Sequence, residues 1–208
     1  MDKPFIYFDL GKVVFDFSGG LDALAQKLQV SIEDVEGTFR QYDNDICRGE
    51  LQPSDLLSKY ETQFGRPTGI SDFATWWASF FTPIQQTHQL IRDAKEHGYR
   101  IGILSNIYPT VFPKLLDVSA VPNIDWDSVV LSCELGSVKP EKEIFRVAQE
   151  RSGSQQLYLL DDLQTNVEMA RTLGWRGTIF NPRKPNLAIA EIRRELDLPI
   201  LTSSPETL

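Results

Sequence analysis

Asp9 closes the apolar run Phe5-Ile6-Tyr7-Phe8 and is followed at once by Leu10-Gly11-Lys12, so a carboxylate stands where a buried strand gives way to a tight turn. An ionised group is tolerated at the end of such a strand, where water, a metal or backbone N–H groups compensate its lost hydration. Three later strand ends carry Ser105-Asn106, Lys139-Pro140 and Asp161-Asp162. A carboxylate, a hydroxyl, an ammonium and an acidic pair are the parts of a phosphoryl-transfer site. Each has a bland reading taken singly: Asp9 and the acidic pair cap helices, Ser105-Asn106 makes a turn, and Lys139-Pro140 opens a helix with Pro at its first position. Jointly the balance reverses, because four such accidents at successive strand ends are rarer than one site.

The elements that must hold these residues are short apolar runs bounded by turn signals: Phe5 to Phe8, Arg100 to Leu104, Ser128 to Leu131, Leu157 to Leu160 and Arg176 to Phe180. Helical patterns alternate with them. Gln86 to His97 ends at Gly98, Lys142 to Arg151 ends near Gly153, and Asn166 to Leu173 ends at Gly174. Strand and helix in alternation predict an α/β fold, a parallel sheet flanked by helices, with ligands at the carboxyl ends of the strands.

Residues 18–83 break this rhythm. Their apolar residues recur at helical spacing, as in Leu21, Leu24, Ala25 and Leu28 or Phe73, Trp76, Trp77 and Phe80, and no convincing strand stands among them. Breaks are expected at Gly19-Gly20, Arg48-Gly49, Pro53, Gly65-Arg66-Pro67 and Pro83. The expected division is an α/β core of residues 1–17 and 84–208 and an all-helical cap of 18–83 that shields the strand ends from water. After Phe180 come a helix from Leu187 to Leu196 and a polar tail.

Composition narrows the partners. The chain has 208 residues, 41% of them hydrophobic, a formal charge of −8 and a pI near 4.8. Such a balance speaks against a nucleic-acid or anionic-membrane surface, which needs clustered Lys and Arg, while a bound metal would still admit a small anion. No run approaches the roughly 18 apolar residues of a membrane span, and Met1-Asp2-Lys3-Pro4 leads into a strand rather than a signal sequence. Cys47 and Cys133 make no disulfide framework, so the expectation is a cytoplasmic protein. Oligomeric state, monomer or homodimer, is left open.

Asp9-Leu10-Gly11-Lys12-Val13, Leu104-Ser105-Asn106, Gly136-Ser137-Val138-Lys139-Pro140 and Leu159-Leu160-Asp161-Asp162 resemble, in order, the four motifs of the haloacid dehalogenase-like (HAD) hydrolase superfamily. The likeness spans essentially the whole chain, and Cys47-Arg48-Gly49-Glu50 looks like the cap-loop segment of many members. The branch it resembles most is that of bacterial α-D-glucose-1-phosphate phosphatase, which also carries Asp-Leu-Gly in the first motif. The resemblance implies a Rossmannoid core, a helical cap, and a Mg²⁺-dependent phosphatase for a small phosphorylated metabolite, with a sugar phosphate among the candidates.

The chemistry of the residues agrees with that implication. Asp9, expected to have an ordinary carboxyl pKa, is the nucleophile, and Mg²⁺ offsets its repulsion from a phosphate dianion. The Asp9 carboxylate, the Gly11 carbonyl and Asp162 are the expected metal ligands. Ser105, the Asn106 N–H and Lys139 hold the phosphate oxygens. Asp161 and Asn166 support them from behind, and Arg48, with Glu50, Tyr42 and Trp76, is a candidate substrate contact from the cap. His88 and His97 stand at no strand end and are expected to be bystanders.

Gly11 departs from the resemblance. Phosphatases of the superfamily usually carry there a second Asp, which protonates the leaving alcohol and then activates water. Leaving groups that need little protonation suffer least from its loss, and Lys12 is a candidate helper. Two further readings follow: a metal-free 2-haloacid dehalogenase-type hydrolase, for which the acidic pair has no use, and a phosphate-binding pseudoenzyme that lost turnover with Gly11.

Overall fold

The protein is described from a computed structural model covering residues 3–199. Met1, Asp2 and the end of the polar tail, 200–208, lie outside the described residues. The main sheet has strands β1 (Phe5–Phe8), β4 (Ile101–Ser105), β5 (Ser128–Leu131), β6 (Leu157–Asp161) and β7 (Arg176–Ile179), all parallel, in the order β5-β4-β1-β6-β7. Strand β1 is central, so the chain runs outward to one side through β4 and β5 and returns to the other through β6 and β7. That reversal opens a crevice at the carboxyl ends of β1, β4 and β6.

Both faces of the sheet are buried, which is why its strands read as continuous apolar runs. Ile6, Phe8, Ile101, Ile103 and Leu160 join one core, and Phe5, Tyr7, Leu104, Val130 and Leu159 join the other. Helices α5 (Gln85–Glu96), α8 (Lys142–Ser152), α9 (Gln164–Thr172) and α10 (Pro185–Glu195) connect or follow the strands, near the expected bounds. The short helices α6 (Val111–Asp117) and α7 (Ser132–Leu135) have too few turns to show a periodicity. Helix α8 starts at Lys142, after the N-cap Glu141, so Lys139-Pro140 does not open it.

Between β1 and α5 the chain forms a second structure. Helices α1 (Ser18–Leu28), α2 (Ile32–Cys47), α3 (Pro53–Phe64) and α4 (Phe73–Ala78) follow one another, each with a local reason for where it begins or ends. The Ser31 hydroxyl accepts from the Asp34 N–H at the start of α2, Asp72 accepts from the Thr75 N–H at the start of α4, and α3 stops at the left-handed Gly65.

Two expectations fail in this segment. A two-residue antiparallel pair, β2 (Phe15–Asp16) and β3 (Thr82–Pro83), joins its two ends. It is too short for a period of two to show, and Pro83 argues against a strand in sequence. Helix α1 runs straight through Gly19-Gly20, the expected break, and a Cβ at Gly20 would stand 2.7 Å from the Trp77 ring. The glycine serves a close approach there, not a turn.

Candidate active site

Local folding delivers the functional side chains to one place. Asp9 follows the last residue of β1, Ser105 ends β4 and Asp161 ends β6, while Lys139 reaches in from the loop between α7 and α8. The β1–β6 register pairs Phe8 with Leu160, which sets Asp9 beside Asp161, and the Asp9 N–H donates to the Leu160 carbonyl at 2.9 Å. The Lys139 ammonium lies 2.8 Å from Asp9 Oδ1 and 2.5 Å from Asp161 Oδ2. Both partners of the second contact are almost wholly buried, Lys139 being 4% exposed and Asp161 0%.

Asp161 is satisfied within the protein. Its Oδ1 accepts from the Leu163 N–H and the Asn166 amide, each at 2.9 Å, and its Oδ2 takes Lys139. It therefore fixes Lys139 and the start of α9. The ligand oxygens of Asp9, Asp161 and Asp162 lie within 4.8 Å of one another. Three carboxylates against one ammonium leave two negative charges uncompensated.

The electrostatics carry that imbalance. Burial, with the Asp161 charge adding to it and Lys139 opposing, pushes Asp9 up to about 6. Burial first, and then the Asp9 and Asp161 charges, push Asp162 up to about 7. Burial works against the Lys139 charge, but Asp161 and Asp9 outweigh it and hold the ammonium above its usual range. An ordinary pKa for Asp9 is thus not what the protein alone provides.

A divalent cation fits this donor set. The donors are all oxygen, as a hard cation prefers, and its charge would cancel the residual two. The buried Asn166 Oδ1, which has no hydrogen-bond partner, is an acceptor left free at the same spot. It suits a donor such as a water held by a cation.

These groups line a cavity of about 360 Å³ whose wall includes Asp9, Gly11, Ser105, Asn106, Lys139, Asp162 and Asn166. The Ser105 hydroxyl has only a long 3.4 Å contact with the Asn106 carbonyl, so its donor is free for a ligand. Asn106 does more than expected. Its side-chain Oδ1 accepts from the Lys139 N–H at 2.7 Å and its Nδ2 donates to the Lys139 carbonyl at 3.0 Å, gripping the backbone of the residue that supplies the ammonium. The two residues are far apart in sequence, and no local pattern announces that grip.

Arg48 is engaged elsewhere. Expected at the substrate, it lies outside the cavity wall and forks onto Glu141, with an Nη1–Oε2 distance of 3.0 Å and a second contact between Nη2 and Oε1. That pair holds Glu141 down to about 2. The reason is position: Arg48 follows the last residue of α2 and faces the loop that carries Lys139, so it ties the inserted segment to that loop.

Glu50, Tyr42 and Trp76 are likewise absent from the wall, which Phe39, Asp43, Cys47 and Trp77 line instead. Lys12 lines it too, but its ammonium is bound to Asp16 at 2.5 Å and to the Ser18 hydroxyl. His88 is buried, with Nε2 3.2 Å from the Ala120 carbonyl, and the His97 Nδ1 lies 2.8 Å from the Asp93 carbonyl. Neither meets the site.

No family model matches the chain, and no curated protein matches it in sequence. Solved structures do match it. A HAD family enzyme from Bacteroides thetaiotaomicron, in complex with magnesium and inorganic phosphate, has a TM-score of 0.67 at 21% identity, covering 87% of this chain and 96% of the other. A HAD phosphatase from Thermococcus onnurineus has a TM-score of 0.65 at 17% identity, covering 96% and 100%. The L-2-haloacid dehalogenase from Xanthobacter autotrophicus has a TM-score of 0.66 at 16% identity, covering 86% and 78%.

The fold is therefore that of the HAD-like hydrolases, as the four motifs imply. A phosphatase and a dehalogenase share that fold.

Proposed function

We propose that this chain is a Mg²⁺-dependent phosphatase that hydrolyses a small phosphorylated metabolite through an aspartyl-phosphate on Asp9. The observation that carries the reading is the clustering of Asp162 with Asp9 and Asp161, with two negative charges left over. A dehalogenase of the same fold has no use for that excess. The complex of a fold neighbour with magnesium and inorganic phosphate supports the same choice.

In this reading residues 18–83 form the cap over the core of 1–17 and 84–208. Asp9, the Gly11 carbonyl and Asp162 would hold the cation, whose charge would lower the carboxylate pKa values and offset the repulsion between a phosphate dianion and a negative site. The Asp9 oxygen not engaged by Lys139 attacks phosphorus as the bond from phosphorus to the ester oxygen breaks, the leaving oxygen takes a proton from solvent, and water then cleaves the acyl phosphate to free Asp9 and inorganic phosphate. The Ser105 hydroxyl, the Asn106 N–H and the Lys139 ammonium stabilise the charge spread over the phosphoryl oxygens. Asp161, held by Leu163 and Asn166, keeps Lys139 in place. The likeness to α-D-glucose-1-phosphate phosphatase rests on the Asp-Leu-Gly motif alone.

The test is phosphate release from acetyl phosphate, with Mg²⁺ and with a chelator, by the wild type and by Asp9→Asn. Release that needs Mg²⁺ and falls by more than about a thousandfold in the variant is expected, since the nucleophile is gone while the shape is kept. Release that survives the chelator or the substitution contradicts the reading. A wild type that binds phosphate with Mg²⁺ and never turns over would be the pseudoenzyme that Gly11 allows.

A further inference from the structure

Part of the cavity wall has a chemistry of its own. Phe17, Phe39, Trp77, Phe81 and Tyr108 line it. They form one connected aromatic group: the Phe17–Trp77, Phe39–Trp77 and Phe39–Tyr108 ring centroids are each 6.1 Å apart, and Trp77 meets Phe81 edge-on at 5.8 Å. Gly20 leaves the space into which the Trp77 ring settles, so the arrangement is fixed by helix α1 as well as by its own members.

Polar groups are scarce on this wall, and most are already engaged. The Tyr108 hydroxyl donates to Asp43 Oδ1 at 2.8 Å, the Cys47 thiol leans on the same carboxylate oxygen at 3.9 Å, and the Lys12 ammonium is held by Asp16. Asp43 itself offers one further acceptor. A sugar entering here would exchange the hydration of several hydroxyls for ring faces and leave them unpaired. A flat apolar group would meet aromatic side chains there and bring no hydroxyl to be left unpaired.

We propose that the organic part of the substrate is a compact aromatic group, carried on the ester oxygen that leaves when the Asp9 carboxylate attacks the phosphorus held in the phosphate cradle. This rests on the phosphate-binding reading of the site and replaces the sugar with a ring. The missing acid at Gly11 points the same way, because a phenolic oxygen leaves with less help from a proton than an alkoxide does. A cavity of about 360 Å³ is at the small end for a ligand site, which matches one ring beside a phosphate.

Phosphonates test this without turnover, because their P–C bond is not hydrolysed. Calorimetric titration in Mg²⁺ should show benzylphosphonate binding at least tenfold tighter than methylphosphonate, and Phe39→Gln should bring the two within about threefold. Equal affinities in the wild type overturn the aromatic proposal, whatever the protein hydrolyses. A clear preference for benzylphosphonate in a protein that releases no phosphate from acetyl phosphate would leave the aromatic proposal standing and remove the phosphatase reading alone.

Discussion

At the scale of single residues the account turns on Gly11. General acid–base assistance is typically worth about 10²–10⁴-fold, and no side chain stands at this position to give it. The Gly11 backbone does not hold a positive φ, so an Asp there meets no backbone penalty, but its Cβ would come 3.1 Å from the Phe17 ring. Gly11→Asp should therefore cost about 1–2 kcal/mol through displacement of that ring, and Phe17→Leu in the same chain should recover most of the loss in thermal melting. The folded variant should accelerate hydrolysis of alkyl phosphates by about tenfold more than that of acetyl phosphate, because both gain a base for the water that cleaves the acyl phosphate and only the alkoxide also gains a proton. Equal acceleration of both substrates would show that leaving-group protonation does not limit the rate.

At the scale of elements, close approach between helices decides what a glycine does. Gly20 and Gly37 are both helical, yet a Cβ at Gly20 would collide with Trp77 whereas one at Gly37 would meet nothing within 4 Å. Gly37→Ala should raise stability by about 0.5–1 kcal/mol. Gly20→Ala should lower it by about 1–3 kcal/mol despite the same gain in helix propensity, measured by denaturant unfolding. The contrast marks the limit of what the sequence discloses. The strands of the sheet are legible because both faces are buried, and Asp9, Ser105 and Asp161 are legible as chemistry because each is a polar interruption at the end of such a run. The β2–β3 pair is not, since two residues show no period. Which face of α2 and α4 meets the cavity is not legible either. Trp77 rather than Trp76, and Asp43 rather than Tyr42, is a difference of one helical position set by packing across the insertion. Arg48 stands where an anion-binding cation is expected, and only the fold reveals Glu141 opposite it.

At the scale of the whole molecule the uncompensated charge links the site to stability. Asp9 and Asp162 titrate at about 6 and about 7 in the folded protein, above the roughly 4 of an unfolded Asp, so the folded form holds more protons between those values. Metal-free protein should accordingly lose stability as pH rises from 5 to 8. Asp162→Asn should flatten that fall, and Mg²⁺ should raise the wild-type melting temperature at pH 8 while raising that of the variant much less. Thermal melts with and without chelator check both, and a pH-independent metal-free melting temperature would contradict the charge imbalance. The central claim is that the Asp9 carboxylate takes up the phosphoryl group. With no carboxylate at position 11 to act as the base that activates water against it, the acyl phosphate should persist long enough to be trapped. The direct measurement is acid quenching of the enzyme during turnover of acetyl phosphate in Mg²⁺, followed by mass spectrometry of its peptides. A phosphoryl group on Asp9, absent with chelator and absent in Asp9→Asn, is the result predicted. Turnover with the modification at another residue, or with Asp9 never modified, would contradict the account.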